Sequence, residues 1–249
     1  MFAIDASKGE GFLSDGFSRL VARIFGTEPA NNLLSLRISR TADDPATIRM
    51  LQEDHIPIVL NGFVCRQGAY CSSDSIAGIY MPRDLCSVDA LIIGDDENLL
   101  PVGKRTKVGF IPKTLLRDRY KTFAPILWKA SARANIRLRK WLEVVATKDA
   151  PCAFAFLLCE FRTRLEFRGV DTNTALRLPF TQEQFGKMIG ISAIHANRSF
   201  SRLKDDGLFN NRRGTFYDCD WEALEAIAAF DDSYLWLNDS QRLRADRKV

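Results

Sequence analysis

The segment formed by residues 178–217 brings together side chains that could read DNA. Arginine can donate two hydrogen bonds to guanine, asparagine can pair with adenine, and an apolar side chain can contact the methyl group of thymine. Arg198, Asn197 and Ile194 offer these three groups close together in the sequence. Residues 177–217 contain seven Lys or Arg and three Asp or Glu, a charge of +4 that equals the formal charge of the whole chain. A nucleic-acid-binding element requires such a local concentration of positive charge.

Two short helices are predicted to position these side chains. Thr181 can cap the first helix, and Gln184, three residues later, completes a capping box. Gly190 ends this helix, because a residue without a side chain permits a sharp turn. Ser192 can cap a second helix that runs to about residue 206. Two short helices joined by a tight turn that contains glycine predict a helix-turn-helix motif.

The two helices divide into a predicted core and a predicted DNA-binding surface. The core between them would consist of Phe185, Ile189, Ile191, Ala196, Phe200 and Leu203. The exposed face of the second helix would present Ala193, Ile194, His195, Asn197, Arg198, Arg202 and Lys204. Residues 208–217 predict a hairpin, and Arg212 and Arg213 at its tip would form a wing against the phosphate backbone. The alternative is a plain packing motif, in which these side chains are ordinary surface.

Between residues 55 and 112 the pattern changes to short apolar runs separated by turn residues. The runs cover residues 56–60, 76–81, 91–93 and 108–111, and Asn61-Gly62 would end the first of them. Several short strands at this spacing predict an antiparallel barrel or sandwich.

A long helix is predicted over residues 123–146, with Pro125 in its first turn. Two sets of residues repeat every seven positions along it and form a seam with alternating spacings of four and three: Leu127, Ser131, Ala134, Leu138, Trp141 and Val145. This is the spacing of a coiled coil, so it predicts a dimer interface. The alternative is an amphipathic helix that packs on its own domain. Further helices are predicted over residues 17–25 and 150–168.

The composition is that of an ordered globular protein. The chain has 249 residues, of which 46% are hydrophobic and 27% are charged, which suits one large domain or two small ones. Its longest apolar stretches are too short to span a membrane, and its N-terminus does not resemble a secretion signal. We therefore expect a cytoplasmic protein that has no membrane partner.

The sequence offers few residues for metal or enzyme chemistry. Its six cysteines include no C-x-x-C pair and it has two histidines, so no structural zinc site is expected. The cysteines are expected to be reduced and buried, and the alternative is a redox sensor in which Cys65 and Cys71 form the nearest pair. Gly103-Lys104-Arg105 is similar to part of a phosphate loop, but the lysine is not followed by Ser or Thr. Because H-E-x-x-H and G-x-S-x-G motifs are absent as well, we expect no enzyme.

Several segments resemble the Crp/Fnr family of bacterial transcription regulators. The resemblance is strongest over residues 178–217, and residues 192–198 (SAIHANR) are close to a pattern common in the family's alphaproteobacterial members. Residues 60–66 (LNGFVCR) and 81–86 (MPRDLC) resemble two strands of the family's jelly-roll sensor domain, and residues 220–224 (DWEAL) resemble its C-terminal tail. The resemblance implies an α+β fold. It would have an antiparallel β-roll similar to a cyclic-nucleotide-binding domain at residues 1–118, a dimerisation helix at 119–147 and a winged helix-turn-helix domain at 148–249.

The resemblance also implies roles for individual residues and partners. By family position, the phosphate contacts would come from Thr181, Gln182 and Ser192, and the base contacts from Ala193, Ile194 and Arg198. Arg198 matches the family pattern, whereas Ala193 and Ile194 depart from the Arg-Glu pair of its best-known branch. The DNA sequence preferred by that branch is therefore not expected here. The family further implies a homodimer and RNA polymerase as a protein partner.

The sensor segment departs from the members that bind known cofactors. Members that bind cyclic nucleotides use a Gly-rich turn and an Arg-Ser pair. Here Arg83 stands where the turn usually has glycine, and residues 82–106 contain no Arg-Ser pair. A cyclic phosphate would lose a strong charge-assisted bond without that arginine. No cysteine precedes Cys65, which argues against an iron–sulfur cluster, and only His55 could serve as a histidine ligand to haem. We expect none of these three cofactors.

These observations predict a sequence-specific DNA-binding transcription regulator that acts as a homodimer. Its recognition helix would lie at about residues 193–206 in the major groove, and its wing at about residues 208–217 on the backbone. Two alternatives stay open. One is a protein-interaction module with a decayed sensor domain, and the other is a regulator that responds to thiol oxidation.

Overall fold

The computed structural model of the chain describes residues 40–68, 75–94 and 97–235. Its N-terminal part is a four-stranded antiparallel sheet with the strand order β1-β4-β2-β3. The strands are β1 (Arg40–Ala42), β2 (His55–Gln67), β3 (Ile76–Tyr80) and β4 (Asn98–Pro112). The helix predicted over residues 17–25 and Cys71 lie outside the described residues.

Helices pack around this sheet and lead away from it. They are α1 (Pro45–Gln52), α2 (Ala90–Ile93), α3 (Lys113–Asp118), α4 (Tyr120–Thr147) and α5 (Ala150–Phe167). Helix α4 begins three residues before its predicted start, so Pro125 lies in the second turn rather than the first. Helix α5 begins where Asp149 accepts a hydrogen bond from the backbone amide of Cys152 at 3.0 Å.

The C-terminal part is a small three-stranded sheet with helices on it. It consists of β5 (Ala175–Arg177), α6 (Gln182–Ile189), α7 (Ala193–Asp205), β6 (Asn210–Arg212), β7 (Thr215–Tyr217) and α8 (Trp221–Ala228), followed by a 3-10 helix (Asp232–Leu235). The strand order is β5-β7-β6, and both pairs are antiparallel. The predicted fold class is confirmed, because a β-roll, a long central helix and a C-terminal winged helix-turn-helix follow one another along the chain.

Two details of the strand prediction are wrong. Asn61-Gly62 does not end a strand, because β2 continues through both residues to Gln67. Residues 91–93 lie in α2, a helix of four residues that ends at Gly94, whose φ is 74°. An apolar run of three residues is too short for its periodicity to distinguish a strand from a helix.

Strand β4 contains a bulge, which we call the β4 bulge (Gly103–Thr106). Asn61 pairs with Lys107 and Phe63 with Val102, so the four residues of the bulge lie opposite Gly62 alone. The Thr106 hydroxyl is buried there and accepts a hydrogen bond from the amide of Phe63 at 3.3 Å. Gly62 has a φ of 76°, and a Cβ on it would lie 2.3 Å from the Thr106 hydroxyl oxygen. This position therefore requires glycine both for space and for backbone conformation.

A buried cluster of charged side chains, which we call the polar joint (Asp84, Glu160, Arg164 and Arg168), connects the β-roll to α5. Arg164 donates to Glu160 and to Asp84, each at 2.9 Å, and Arg168 donates to Asp84 at 2.6 Å. Arg164 and Arg168 also donate to backbone carbonyls of the β-roll, those of Ile79 at 2.9 Å and Pro82 at 2.7 Å.

The arginines of the polar joint keep the carboxyl group of Asp84 ionised. Burial alone would raise the pKa of Asp84, but the guanidinium groups of Arg168, Arg137 and Arg164 hold it well below its usual value. Burial lowers the pKa of Arg168 to about 10 although Asp84 raises it. Asp84 is therefore ionised at neutral pH, and both arginines are charged.

Glu160 extends the polar joint to two further elements. Its carboxylate accepts a hydrogen bond from the indole nitrogen of Trp141 on α4 at 2.8 Å and from the hydroxyl of Tyr234 at 2.6 Å. The β-roll, α4, α5 and the C-terminal 3-10 helix thus meet at one set of buried polar groups.

None of the helices in the described part of the chain has the length and apolar character that crossing a membrane requires.

Candidate nucleic-acid interface

The helix-turn-helix is built as its capping residues predict. The Thr181 hydroxyl accepts from the amide of Gln184 at 3.1 Å, and the Gln184 side chain accepts from the amide of Thr181 at 2.8 Å. Gly190 ends α6 with a φ of 72°, and the Ser192 hydroxyl accepts from the amide of His195 at 3.3 Å to begin α7. The capping groups are local, so they could be read directly from the sequence.

The core between α6 and α7 contains one important residue that the sequence reasoning missed. Five of the six predicted core residues are buried, and Ile191 is half-buried. Gly186 is also buried, and a Cβ on it would lie 2.9 Å from the Cβ of Ala196 and 3.2 Å from the carbonyl oxygen of Ile191. Gly186 therefore sets how closely the two helices approach. The signal that could have found it was a glycine inside a helix, where glycine is otherwise unfavourable.

A cluster of phenylalanine side chains holds the helix-turn-helix and the hairpin on α5. Its members are all buried and contact one another with ring centroids 5.1 to 6.3 Å apart: Phe154, Phe161, Phe180, Phe185, Phe200, Phe209 and Phe216. Several pairs meet edge to face, the arrangement that the charge distribution of aromatic rings favours. This core gives the surface above it a fixed shape.

The hairpin formed by β6 and β7 has the predicted tip. Arg213 and Gly214 have φ values of 51° and 77°, as a two-residue hairpin turn requires. The amide of Leu178 donates to the carbonyl of Gly214 at 2.8 Å, and a Cβ on Gly214 would lie 2.3 Å from the carbonyl oxygen of Leu178. The hairpin is thus fixed to the segment that leads into α6.

Residues 154–227 match the family model of a Crp-like helix-turn-helix domain. We refer to these residues as the Crp-like segment. No curated protein sequence matches the chain.

Solved structures of regulators share the overall fold. FixK2 from Bradyrhizobium japonicum superposes with a TM-score of 0.55 at 15% identity, over 76% of this chain and 91% of that one. A regulatory protein from Silicibacter pomeroyi gives 0.55 at 15% identity, over 87% and 100% of the two chains. The cyclic-di-GMP-responsive global regulator CLP of Xanthomonas campestris gives 0.53 at 16% identity, over 72% and 91%. At these identities the likeness establishes the fold.

Nearly all the predicted DNA-binding residues lie on the surface of the Crp-like segment. Gln182 is half-buried, and the exposed ones are Thr181, Ser192, Ala193, Ile194, His195, Asn197, Arg198, Arg202, Arg212 and Arg213. Ile194 is 69% exposed, so its apolar side chain is available for contact on this surface. An exposed isoleucine beside an exposed arginine offers both an apolar and a charged contact.

Asn197 does not present a free amide. Its side-chain nitrogen donates to the Gln182 side-chain oxygen at 2.7 Å, so it connects α7 to the start of α6. The nitrogen has a second N–H, so pairing with adenine as the sequence reasoning expected would have to use that N–H and the side-chain oxygen while the bond to Gln182 holds the amide in place. Arg198 and Ile194 have no such internal bond in the described residues and are freer to adjust to a base.

The cations on this surface form no ion pairs with the described residues, although Arg202 adds to the hydrogen bonds from Cys152 that lower the pKa of the Asp149 carboxyl. Within the described residues no carboxylate forms an ion pair with Arg198, Arg202, Lys204, Arg212 or Arg213. Lys187, in contrast, pairs with Glu183 on the same helix at 2.9 Å. The N-termini of α6 and α7 add the positive end of the helix dipole. The surface is therefore suited to bind a polyanion.

The predicted dimer seam on α4 needs correction. Leu127 and Trp141 are 3% and 8% exposed, because they pack into the core of their own chain, and Ala134 is half-buried. Of the other predicted members, Leu138 and Val145 are exposed, while Ser131 is half-buried and donates to Asp89 at 2.7 Å. Of the predicted repeat Ser131, Leu138 and Val145, the last two residues thus face outward as expected.

The second outward repeat lies one residue further along α4. It consists of Trp128, Asn135 and Leu142, which take the place of Leu127, Ala134 and Trp141 in the predicted seam. Trp128 and Leu142 are 63% and 68% exposed. We call the exposed apolar residues of this face the α4 stripe (Trp128, Leu138, Leu142 and Val145). The sequence periodicity predicted the spacing but could not decide between two positions of this repeat, which are one residue and therefore about 100° apart around the helix.

The redox alternative named Cys65 and Cys71, of which Cys71 lies outside the described residues, and the two described cysteines of the β-roll have thiols that resist ionisation. Cys65 is buried, and burial raises the pKa of its thiol to about 12. Cys86 is buried too, and its pKa is raised for the same reason. A thiol must ionise to react readily with an oxidant, so both are poor redox sensors.

No group of residues suited to hold a metal ion occurs in the part of the chain that the structure describes.

Proposed function

We propose that the chain is a sequence-specific DNA-binding transcription regulator that acts as a homodimer. The observation that supports it most directly is the row of exposed cations on α7 and the wing of the Crp-like segment, which form no ion pairs with the residues that the structure describes. In this proposal α7 enters the major groove and the wing, residues 208–217, contacts the backbone. Arg198 reads guanine with two hydrogen bonds, and Ile194 contacts a thymine methyl group.

The caps of the two helices would contact phosphates. Thr181 and Ser192 lie at the N-termini of α6 and α7, where amide groups and the helix dipole favour an anion. Arg202, Arg212 and Arg213 would add charge-assisted bonds to the backbone. These contacts position the protein, while Arg198 and Ile194 provide the specificity.

The α4 stripe supports the dimer. With Ser131 and Asn135 its members occur at alternating spacings of three and four, the pattern by which two helices pack as a coiled coil. Asn135 would be a polar residue within that seam, and such a residue specifies the register of two strands. Ile92, which is 67% exposed, lines the same groove of about 390 Å³ as Trp128 and enlarges the apolar surface. By resemblance to the Crp/Fnr family we further propose that the DNA-bound dimer contacts RNA polymerase.

We also propose that the dimer binds DNA without a cyclic nucleotide. Between the β-roll and α4, Arg66 pairs with Glu97 at 2.9 Å and Tyr80 donates to the same carboxylate at 2.5 Å. The cavities that the described residues form beside these groups are about 30 and 70 Å³, whereas small-molecule sites have volumes of roughly 300 Å³ or more. The expected result is an unchanged unfolding temperature in millimolar cAMP or cGMP, and a rise of several degrees would contradict this part of the proposal.

Selection of genomic DNA fragments by the purified protein tests the main proposal. The wild type is expected to recover a motif with two-fold symmetry. Arg198→Ala is expected to lose preference at one position of each half-site, by about 1 to 3 kcal/mol. Arg117→Ala, an exposed arginine on α3, is the matched control and should recover the wild-type motif. A wild type that recovers no motif at any salt concentration would refute the proposal.

Sedimentation of variants of α4 tests the dimer separately. Leu142→Glu places a charge in the α4 stripe and is expected to yield monomers, because a charge in a desolvated seam is costly. Met50→Glu is the control, since Met50 is a comparably exposed apolar residue, 60% exposed, on α1. A dimer that persists in Leu142→Glu would show that another surface joins the chains.

A further inference from the structure

The β4 bulge presents two cations that the proposed recognition helix does not use. Lys104 and Arg105 are exposed at its outermost part, and no carboxylate within the described residues forms an ion pair with either. Strands β2 and β4, which form the surroundings of the bulge, contain no Asp or Glu. Lys107 lies further along β4, where Asp43 follows the end of β1, so its charge is less isolated.

The bulge holds these cations in a fixed position. Thr106 is buried and bonds to Phe63, and the side chain of Asn61 donates to the carbonyl of Arg105 at 2.9 Å. Gly62 leaves the space that Thr106 occupies. Since the backbone is held on both sides, the two side chains extend from a rigid base rather than from a free loop.

The bulge lies against the segment that leads into the helix-turn-helix. A Cβ on Gly103 would lie 3.2 Å from the Cβ of Pro179, and the rings of Phe63 and Phe180 meet edge to face with centroids 5.3 Å apart. Pro179 and Phe180 directly precede Thr181, the cap of α6. The cations of the β-roll are therefore adjacent to the end of α6 at which a phosphate is expected.

We propose that Lys104 and Arg105 bind phosphates of double-stranded DNA that flank the base pairs read by α7. This inference rests on the proposed function, because it extends the DNA path from the N-terminus of α6 onto the β-roll. Duplex DNA fits better than an acidic protein surface, because the two cations lie beside the N-terminus of α6, where the helix dipole favours a phosphate and Lys187 offsets the charge of Glu183. The contact is independent of sequence and adds affinity by release of counterions.

Binding to two duplexes tests this inference. Both contain a fragment that the wild type selects, one trimmed to the two half-sites and the other with about 15 flanking base pairs on each side, well over one helical turn. The variant is Lys104→Gln/Arg105→Gln, and the matched control Arg117→Gln/Lys129→Gln removes the same charge from exposed positions on α3 and α4. On the long duplex we expect Kd to rise about tenfold and the slope of log K against log salt to fall by up to about 0.9 per cation lost. On the short duplex the variant, the control and the wild type should bind alike.

The other outcomes overturn the inference. Equal losses on both duplexes would mean that the two cations act within the helix-turn-helix footprint. An unchanged Kd on the long duplex would exclude a DNA contact, and if the variant then also failed to retain purified RNA polymerase, the bulge would be a protein-binding surface. If the wild type binds both duplexes and Arg198→Ala loses specificity, such results refute only this inference. A wild type that binds neither duplex refutes the proposed function as well.

Discussion

The polar joint and the exposed face of α7 use the same guanidinium group for opposite purposes. In the joint, Arg164 and Arg168 are almost completely buried, and both are paired with Asp84. On α7, Arg198 and Arg202 are exposed and form no ion pair in the described parts of the chain, and the influence of Arg202 on the pKa of exposed Asp149 acts through water. A charge that is neutralised inside the chain can hold parts of it together, whereas a charge without a partner is available to a ligand. The net charge of the chain does not distinguish these two kinds of charge.

The polar joint and the exposed face of α7 also differ in the free energy that is needed to remove their charges from water. Taking charges out of water is expensive, and it is compensated only when the geometry supplies several bonds to each charge. Arg164 has two carboxylates and a carbonyl, yet its Nε is buried without a hydrogen-bond partner among the described residues. The exposed arginines carry no such cost until DNA binds. The comparison predicts that substitutions in the joint change stability and substitutions on α7 change binding.

The largest effect is expected when Asp84 is removed. Asp84→Ala leaves two arginines buried without their shared carboxylate, which should lower the free energy of unfolding by about 3 to 5 kcal/mol. Denaturation in urea measures the change. Asp205→Ala, which removes an exposed carboxylate from α7, should stay within about 0.5 kcal/mol of the wild type. If Asp84→Ala is equally mild, the joint does not stabilise the fold.

The same aspartate predicts how stability depends on pH. The pKa of Asp84 is lower in the folded chain than its usual value of about 3.9, so its contribution is complete above that pH and is lost as the pH falls through the folded-state pKa. The gap in unfolding free energy between the wild type and Asp84→Asn should therefore narrow as the pH is lowered from about 4. A gap that stays constant down to pH 2 would contradict an ionised Asp84.

A smaller effect is expected between the two helices of the Crp-like segment. Gly186→Val overpacks the contact with Ala196 and should cost about 1 to 3 kcal/mol. Gly190→Ala meets open space and bears only the cost of a positive φ, about 1 kcal/mol. Unfolding free energies of both variants measure the difference. If Gly190→Ala lowers the free energy of unfolding more than Gly186→Val does, the turn contributes more to the stability of this motif than the contact between its helices.

The smallest effect on stability, with a separate effect on binding, is expected at the wing. Arg213 adopts a positive φ of 51°, and Asn followed by Gly is preferred in this turn. Arg213→Asn should leave stability unchanged or raise it by up to about 0.5 kcal/mol, while the salt slope of DNA binding falls by about 0.9 per chain. Arg213→Lys should keep the slope. An Asn variant with the full wild-type slope would show that the wing tip does not contact phosphate.

Local signals explain why the helix-turn-helix could be predicted from the sequence. Thr181, Gln184 and Ser192 accept hydrogen bonds from amides three residues away, and Gly190 ends α6 through its own positive φ, so their spacing alone indicates the helix ends. The resemblance to the Crp/Fnr family also indicated a local feature correctly, the backbone turn of the β-roll at Arg83. Arg83 stands where the family usually has glycine, and in the structure it has a φ of 82°, the conformation that favours glycine.

Contacts between distant residues explain what could not be predicted. The β4 bulge depends on Gly62 and Thr106, which are far apart in sequence, so Asn61-Gly62 looked like the end of a strand. The outward face of α4 depends on which side the core occupies, and the periodicity of Leu127 or Trp128 cannot decide that. The polar joint brings Asp84 to α5 across about eighty residues, and no spacing rule connects them.

The placement of two tryptophans has an optical consequence. Trp128 is 63% exposed on the α4 stripe, while Trp141 is 8% exposed and hydrogen-bonded to Glu160. An indole ring fluoresces at longer wavelengths in water than in an apolar environment. Association through α4 would transfer Trp128 out of water and shift its emission toward the blue, whereas Trp141 is already shielded. The chain therefore contains an intrinsic fluorescent reporter of its own association, which could be followed on simple dilution without any attached dye.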